Sequence, residues 1–379
     1  MNQLRPQSIN LTNRKRLEID GLTMGSVLYE CGFNVIAFYR YAVACISRLS
    51  GELQWVIGPR DDLESIVYPV DDDVGFVLLD GGIQRVNLAN GEMEYAGIGY
   101  EVPVLVTPDY LFTLKVDDAL RCLNTRTLEC IWEFSGQHAG HNDLRVGDGV
   151  VVLQDLEAFH GIDIESGDLL WEFRRLSWLE SRYADRLDKR RNRPGGVSPS
   201  EERRGPPCKL GPVVDGKVFL SYDFGLMVAL DVRTGESLWE TSLKSPVTAA
   251  WLPMARYMCL RDGKLYFNDN QGAFGKSGTL HCLDAETGQI EFQLDEPFTP
   301  SGCAGSVMID KYFVGGSRHH IAAYDVEARE YVWRYEHKEA PIFSSQPVRV
   351  PGGFLIASGR TQELIWFQSD DDQQGAEQA

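Results

Sequence analysis

Much of what enzymes and membrane proteins carry is missing from this 379-residue chain. No run of about 18 or more apolar residues occurs, so no membrane-spanning helix is expected. The N-terminal stretch MNQLRPQSINLTNRKR has no hydrophobic signal region, which makes the cytoplasm the expected location. The motifs GxSxG, GxGxxG and HExxH are absent, as is a phosphate-binding P-loop, so the common hydrolase, nucleotide and zinc-protease signatures are excluded. Cys31, Cys45, Cys122, Cys130, Cys208, Cys259, Cys282 and Cys303 are scattered without CxxC spacing and read as buried, reduced thiols. Positive charge is also in deficit. The formal net charge is −18, which argues against nucleic acid as the default partner.

What the chain does hold is a repeat. ALDVRTGESLWE (229–240) and GIDIESGDLLWE (161–172) share one plan, in which an apolar strand ends in Asp, a turn closes at Gly, and a second strand carries Trp. LRCLNTRTLECIWE (120–133), HCLDAETGQIEFQ (281–293) and AAYDVEAREYVWR (322–334) follow it. QRVNLANGEMEYA (84–96), ACISRLSGELQWV (44–56) and INLTNRKRLEI (9–19) are weaker copies. The aromatic slot is filled by Trp55, Tyr95, Trp132, Trp171, Trp239, Phe292 and Trp333. Spacing of about 40 residues is the period of propellers and solenoids.

Two more strand signals precede each copy. In the clearest case GPVVDG, KVFLSY, LMVALD and SLWETS make four short strands joined by Asp- and Gly-containing turns. Four antiparallel strands, repeated, are a propeller blade. The chain is therefore expected to be all-β, an eight-bladed β-propeller with seven blades as the alternative. Its last blade lacks an outer strand. RKRLEI (14–19) can supply it beside ELIWFQS (363–369), which would remove two exposed sheet edges. The expected organisation is one domain over 1–369, with an insertion at 174–208 and a disordered acidic tail at 370–379.

The pattern A-x-D-x-x-T-G-x-x-x-W, complete at Ala229, Asp231, Thr234, Gly235 and Trp239, resembles the repeat of quinoprotein-dehydrogenase-like (PQQ-like) propellers. Asp163, Gly167 and Trp171 match it in part, as do Asp284, Thr287 and Gly288. The resemblance implies that Trp55, Trp132, Trp171, Trp239 and Trp333 dock between blades. It also implies that the family's enzymes hold a quinone and Ca²⁺ in the central channel, beside a vicinal Cys-Cys pair that this sequence lacks. The fold hosts dehydrogenases, assembly factors and scaffolds alike, so it does not decide function.

One rim of such a ring carries the short turns between first and second, and third and fourth, strands. The irregular sequence falls on the other rim, where loops on a rigid frame carry function. Segment 174–209 has 11 Lys and Arg against 5 Asp and Glu, a local +6 that leaves −24 for the remainder. Ser177 and Glu180 form a capping box, and Leu176, Leu179, Tyr183 and Leu187 recur at helical spacing, which predicts an amphipathic helix over 177–191. Trp178, Arg182, Tyr183, Arg186, Lys189 and Arg190 are candidate partner-binding residues, joined on the same rim by His138, His141, Arg318, His319 and His320. His138, His141 and Asp143 are the weak candidates for metal; solvated or hydrogen-bonded side chains are the plainer reading, and no metal or cofactor is expected. The expected function is a non-enzymatic protein-binding scaffold whose acidic body suits a basic partner, in one version an immunity-type inhibitor of a toxin. The alternative is a metal- or PQQ-dependent enzyme with its site at the channel mouth.

Overall fold

The computed structural model describes residues 11–18, 27–39, 42–58, 68–69, 73–79, 82–99, 101–115, 119–135, 143–154, 158–174, 208–222, 225–243, 258–268, 278–296, 306–316, 320–336, 347–351, 353–358 and 363–369. They form eight four-stranded antiparallel sheets. Blades 1 to 7 span 27–57, 68–99, 101–134, 144–174, 208–242, 258–296 and 306–336. Blade 8 takes three strands from 348–369 and its fourth from the N-terminal strand Leu11–Glu18. That strand pairs with Glu363–Ser369, from Leu11 opposite Ser369 to Glu18 opposite Glu363, with one bulge between Asn13 and Lys15. The expected eight blades and the closure through the N-terminus are both present.

The core is divided among the seams between blades. Eight apolar clusters occur, one for each neighbouring pair of blades, including blade 8 with blade 1. Second and third strands are sandwiched on both faces, which is why VVVL, VFLSY and LMVAL read as continuous apolar runs rather than alternating ones. Fourth strands are outermost. Those of blades 4 and 5 bury only their tryptophan, and Trp171 is 7% exposed.

These tryptophans lock each blade to the next. The indole N–H of Trp55, Trp132 and Trp171 donates at 2.8 Å to the backbone carbonyl of Leu88, Ile164 and Val232, and that of Trp239 at 3.0 Å to Ala285. Each acceptor follows the Asn or Asp of the next blade's third-to-fourth strand turn. The N–H of the same residue bonds the first-to-second strand turn of its own blade, as in Val232 to Gly216 at 2.9 Å. The indole ring lies on the turn's glycine. A Cβ at Gly91, Gly167, Gly235 or Gly288 would come within 2.9, 2.6, 2.6 or 2.5 Å of Trp55, Trp132, Trp171 or Trp239. These glycines also hold φ between +69° and +77°. So the glycine of the repeat serves its own turn and its neighbour's tryptophan at once.

A bulge in the fourth strand aims the tryptophan. In blades 1 and 3 to 7 one residue (Gln54, Ile131, Leu170, Leu238, Glu291, Val332) is skipped before the aromatic. The aromatic then faces Cys45, Cys122, Gly161, Ala229, Cys282 or Ala323 on the third strand, all small residues. Three of the scattered cysteines thus fill one repeated slot.

Blade 2 departs from this. Its bulge comes later, at Ala96 and Gly97, so Tyr95 pairs with Gln84 and is 61% exposed. Tyr95 fills the aromatic slot of the repeat in sequence but does not dock, and the turn it would meet has Leu128 at φ +60° instead of glycine. Phe292 is answered by Arg329, whose guanidinium lies 5.3 Å from the ring, again where the turn lacks glycine. Trp333 docks edge-on against Phe354 and Phe367 of blade 8, with ring centroids 6.0 and 5.3 Å apart.

Two outcomes are expected. Trp171→Ala should cost about 3–5 kcal/mol. Gly235→Ala should cost clearly more in the wild type than beside Trp171→Ala, where only the roughly 1–2 kcal/mol of left-handed backbone strain remains. Urea midpoints of the four-member cycle check this, and strict additivity would show that the two residues do not touch. Deleting residues 1–19 should expose the Glu363–Ser369 edge and cause aggregation or a large fall in Tm, whereas deleting 370–379 should leave Tm unchanged; a stable, monomeric N-terminal deletion would reject the closure.

Candidate functional site

First strands of adjacent blades approach one another and line the centre of the ring. The two rims differ in regularity, and the lower, regular rim is held by turns of one design. The Asp231 carboxylate accepts from the backbone N–H groups of Arg233 (2.9 Å) and Thr234 (2.8 Å) and from the Thr234 hydroxyl (3.1 Å). Asp163, Asp284 and Asp325 accept the same two backbone N–H groups in their own turns, and Asp284 also takes the Thr287 hydroxyl. Asn124 uses its amide oxygen for the same pair of contacts, to Arg126 and Thr127.

These bonds favour the charged form. The Ser166 amide holds Asp163 below its ordinary range, the Thr234 amide holds Asp231 there, and the Thr287 hydroxyl holds Asp284 there. Burial pushes Asp325 upward, but the Ala328 amide and Lys311 ammonium outweigh it and its pKa is lowered. Many of the acidic residues on this rim are therefore parts of turns.

Beneath the other rim lies a set of cross-strand polar pairs. Arg121 faces Glu133, His160 faces Glu172, and His281 faces Gln293. Arg121 also pairs with Glu101, which is 7% exposed and accepts from Thr113 Oγ1 at 2.5 Å. His281 Nδ1 lies 3.1 Å from Gln293 Nε2, and its ring stacks on Phe267 with centroids 5.0 Å apart. The expected candidates do not include these residues. Their signal was present as a shared position in LRCLN, FHGID and LHCLD, three residues before the turn Asn or Asp.

Most of the expected site residues lie outside the described residues. These are Trp178, Arg182, Tyr183, Arg186, Lys189, Arg190, His138, His141, Arg318 and His319, together with the helix expected at 177–191. His320 opens a third strand and pairs with Glu336. Asp143, the third candidate metal ligand, is held by the Arg145 guanidinium at 2.6 Å. Among the described residues no three His, Cys, Asp or Glu side chains converge as a metal site. Burial raises the thiols of Cys45 and Cys282 to about 11 and that of Cys122 to about 12, so all three are neutral packing groups at neutral pH.

The outer surface carries a third feature. The bulge residues of three consecutive blades, Ile131, Leu170 and Leu238, are apolar and 42%, 41% and 46% exposed. Leu169 beside Leu170 extends this belt.

A ring of eight four-stranded blades, four of them fastened to the next by a tryptophan resting on a turn glycine, is a PQQ-like β-propeller. The chain belongs to the family described as outer membrane protein assembly factor BamB, whose family model matches residues 40–186 and 187–373. It is similar to the outer membrane protein assembly factor BamB of Burkholderia pseudomallei (strain K96243), 27% identical over 161 residues, which covers 42% of this chain and 39% of that protein. It is also similar to the quinohemoprotein alcohol dehydrogenase ADH-IIG of Pseudomonas putida, 29% identical over 139 residues, or 32% of this chain and 18% of that enzyme. The chain thus matches well under half the length of either curated relative. Among solved structures, BamB from Moraxella catarrhalis superposes with a TM-score of 0.63 at 13% identity, covering 95% of this chain and all of that one, a likeness of fold alone.

The residues present do not fit the quinone that the fold family implies. No two cysteines are vicinal in the sequence. The six described tryptophans all lie on third or fourth strands, away from the channel-lining first strands.

Lowered carboxyl pKa values set the sign of acid sensitivity. The turns contribute stability above the unfolded Asp value, near about 3.9, and lose it as pH falls through the lower folded values. Replacing Asp163, Asp231 and Asp284 with Asn should keep the turns, as Asn124 does, and flatten the fall in Tm between about pH 4 and pH 2. Thermal scans across that range check it; an unchanged acid limb would reject the assignment.

Proposed function

We propose that this protein is a non-enzymatic scaffold that binds another protein with a basic surface. The observation that carries this reading is the apolar belt of Ile131, Leu170 and Leu238. Apolar residues exposed on three adjacent outer strands contribute nothing to the seams and are of the kind that mark protein interaction sites. Membership of a family named for an assembly factor supports a protein partner. The net charge of −18 supports a basic one, through steering and selection against acidic surfaces. The basic insertion at 174–208 is proposed as a second contact element. An immunity-type role is one form of this reading. Among the described residues the free thiols of Cys45, Cys122, Cys130, Cys259 and Cys282 support a reducing, cytoplasmic setting.

A quinone- or metal-dependent enzyme is the second reading, favoured by the match to the alcohol dehydrogenase of Pseudomonas putida. The seams and turns argue for the scaffold, because the described cysteine and tryptophan side chains serve the ring's own construction.

The test is affinity purification from the native host with wild type and two variants as bait. One variant is Ile131→Lys/Leu170→Lys/Leu238→Lys. The other replaces 177–204 with a short Gly/Ser linker. Both should keep the wild-type Tm, since exposed positions and long surface insertions contribute little. A stoichiometric basic partner should be retained by wild type, released by salt, and weakened more than about tenfold, or about 1.4 kcal/mol, by the belt variant. Absence of any stoichiometric partner, together with oxidation of an alcohol after addition of PQQ and Ca²⁺, would overturn the scaffold in favour of the enzyme.

A further inference from the structure

The apolar belt has borders. Each of its three residues stands between two acids of its own outer strand: Ile131 between Glu129 and Glu133, Leu170 between Asp168 and Glu172, and Leu238 between Glu236 and Glu240. All six acids are exposed. The same three strands carry one cation, Arg174. Glu133 is paired with Lys115 at 2.7 Å and Glu172 with Arg174. Glu129 accepts from the Thr127 hydroxyl at 3.2 Å. Among the described residues no lysine or arginine pairs with Glu129, Asp168, Glu236 or Glu240. The repeat supplies its own comparison. In blades 1, 6 and 7 the bulge residue is Gln54, Glu291 or the buried Val332, and the residue after the aromatic is Val56, Gln293 or Arg334. Exposed apolar residue and double acidic border therefore occur together in blades 3, 4 and 5 and in none of these three. The fold does not require either, since Trp55 makes its lock with Gln54 and Val56 beside it.

We infer that this wall is the docking site for a basic amphipathic helix of the partner protein, laid across the outer strands of blades 3 to 5. The inference deepens the scaffold reading and rests on it. Backbone chemistry selects the helix. The outer strands belong to separate sheets, so the wall offers no continuous edge for an extended segment to follow from blade to blade. A strand added to one edge would run along a single blade and meet only that blade's share of the belt. An extended segment crossing the strands would leave its own N–H and C=O groups without partners on the wall. A helix satisfies its backbone internally and is held by side chains alone. The width agrees. Glu129 and Glu133 are four positions apart on a bulged strand, at most about 13 Å. A helix with its side chains is about 10–12 Å across. Leu or Ile along one stripe of it would meet Ile131, Leu170 and Leu238. Lys or Arg on both shoulders would reach the two rows of acids, with their methylene stems against apolar surface. Acids on both sides also hold the helix over the belt, because a slip toward one row takes its basic residues off the other.

The test uses the full chain and a fluorescein-labelled synthetic peptide of about 20 residues, about 30 Å long as a helix, with a leucine stripe bordered by lysines. Anisotropy reads its binding. One control peptide carries two central prolines that break the helix, and another has glutamate in place of lysine. The basic helical peptide should bind and the two controls should not. Glu129→Gln/Asp168→Asn/Glu236→Gln should weaken binding at least about fivefold at low salt. Glu52→Gln/Glu92→Gln/Glu330→Gln removes three charges from the same turn position in blades 1, 2 and 7, and should leave affinity within about twofold of wild type. Ile131→Ser/Leu170→Ser/Leu238→Ser should weaken binding at least about tenfold with every charge kept. All these positions are exposed, and an unchanged Tm verifies the fold of each variant. Equal weakening by the two charge variants would overturn the site and reduce it to general attraction by an acidic surface. Undiminished binding of the proline peptide, full affinity in the serine variant, or no binding of the helical peptide to wild type would overturn it as well. The scaffold reading is judged separately, by capture of a partner. A captured partner that depends on Ile131, Leu170 and Leu238 but docks through no basic helix would leave the scaffold standing and sink this inference.

Discussion

An indole resting on the next blade's glycine is the contact on which the ring depends. It does three things in one place. It buries a large aromatic surface, it satisfies a backbone carbonyl, and it fixes the distance between two turns. The residue that accepts the indole also ties the two turns of its own blade together, so each lock reaches from the fourth strand of one blade to the first-to-second turn of the next. Among the described residues no helix braces one blade against the next. Their relative tilt is set by seam packing and by this contact, repeated four times in its full form at Trp55, Trp132, Trp171 and Trp239.

Much of this was legible in the sequence because the contact is written in both of its partners. Trp and Gly recur at fixed offsets, and the turn Asp or Asn marks the register between them. The closure was legible too, since RKRLEI is a strand without a blade and the last blade lacks its outer strand. Bulge position was not legible. GEMEYA aligns with GELQWV and GESLWE letter by letter, yet a bulge two residues later reverses the face of the aromatic. A warning stood nearby. The residue opposite the aromatic must be small, and blade 2 has Arg85 where the others have Cys, Gly or Ala. Cys31, Cys45, Cys122 and Cys282 are buried as read, whereas Cys130 is exposed; the reason that Cys45, Cys122 and Cys282 share, the need for a small side chain against an aromatic face, emerges only from the register.

Regularity and function divide between the rims. The lower rim is the more uniform where a turn must meet its neighbour's tryptophan, as at Gly91, Gly167, Gly235 and Gly288, and a change there disturbs two blades at once. The upper connections carry no such obligation, and the basic insertion and the histidine-bearing loops are found in them. The acidic charge has two sources that composition cannot separate. Part of it is turn chemistry, in which carboxylates cap backbone amides. Another part is paired with lysine and arginine, as Glu133 is with Lys115 and Glu286 with Lys217.

The pairing of Leu11–Glu18 with Glu363–Ser369 has a consequence for the life of the chain before it folds. A ribosome releases the second of these strands some 345 residues after the first, since 363 − 18 = 345. Seven blades can assemble from local hairpins as they emerge. The eighth cannot, and through that interval the N-terminal strand is an unpaired edge in search of a partner. A nascent chain that stalls short of residue 363 never conceals it. The same joint that makes the finished ring edgeless marks every unfinished copy as incomplete, open to chaperones and proteases that recognise an exposed strand.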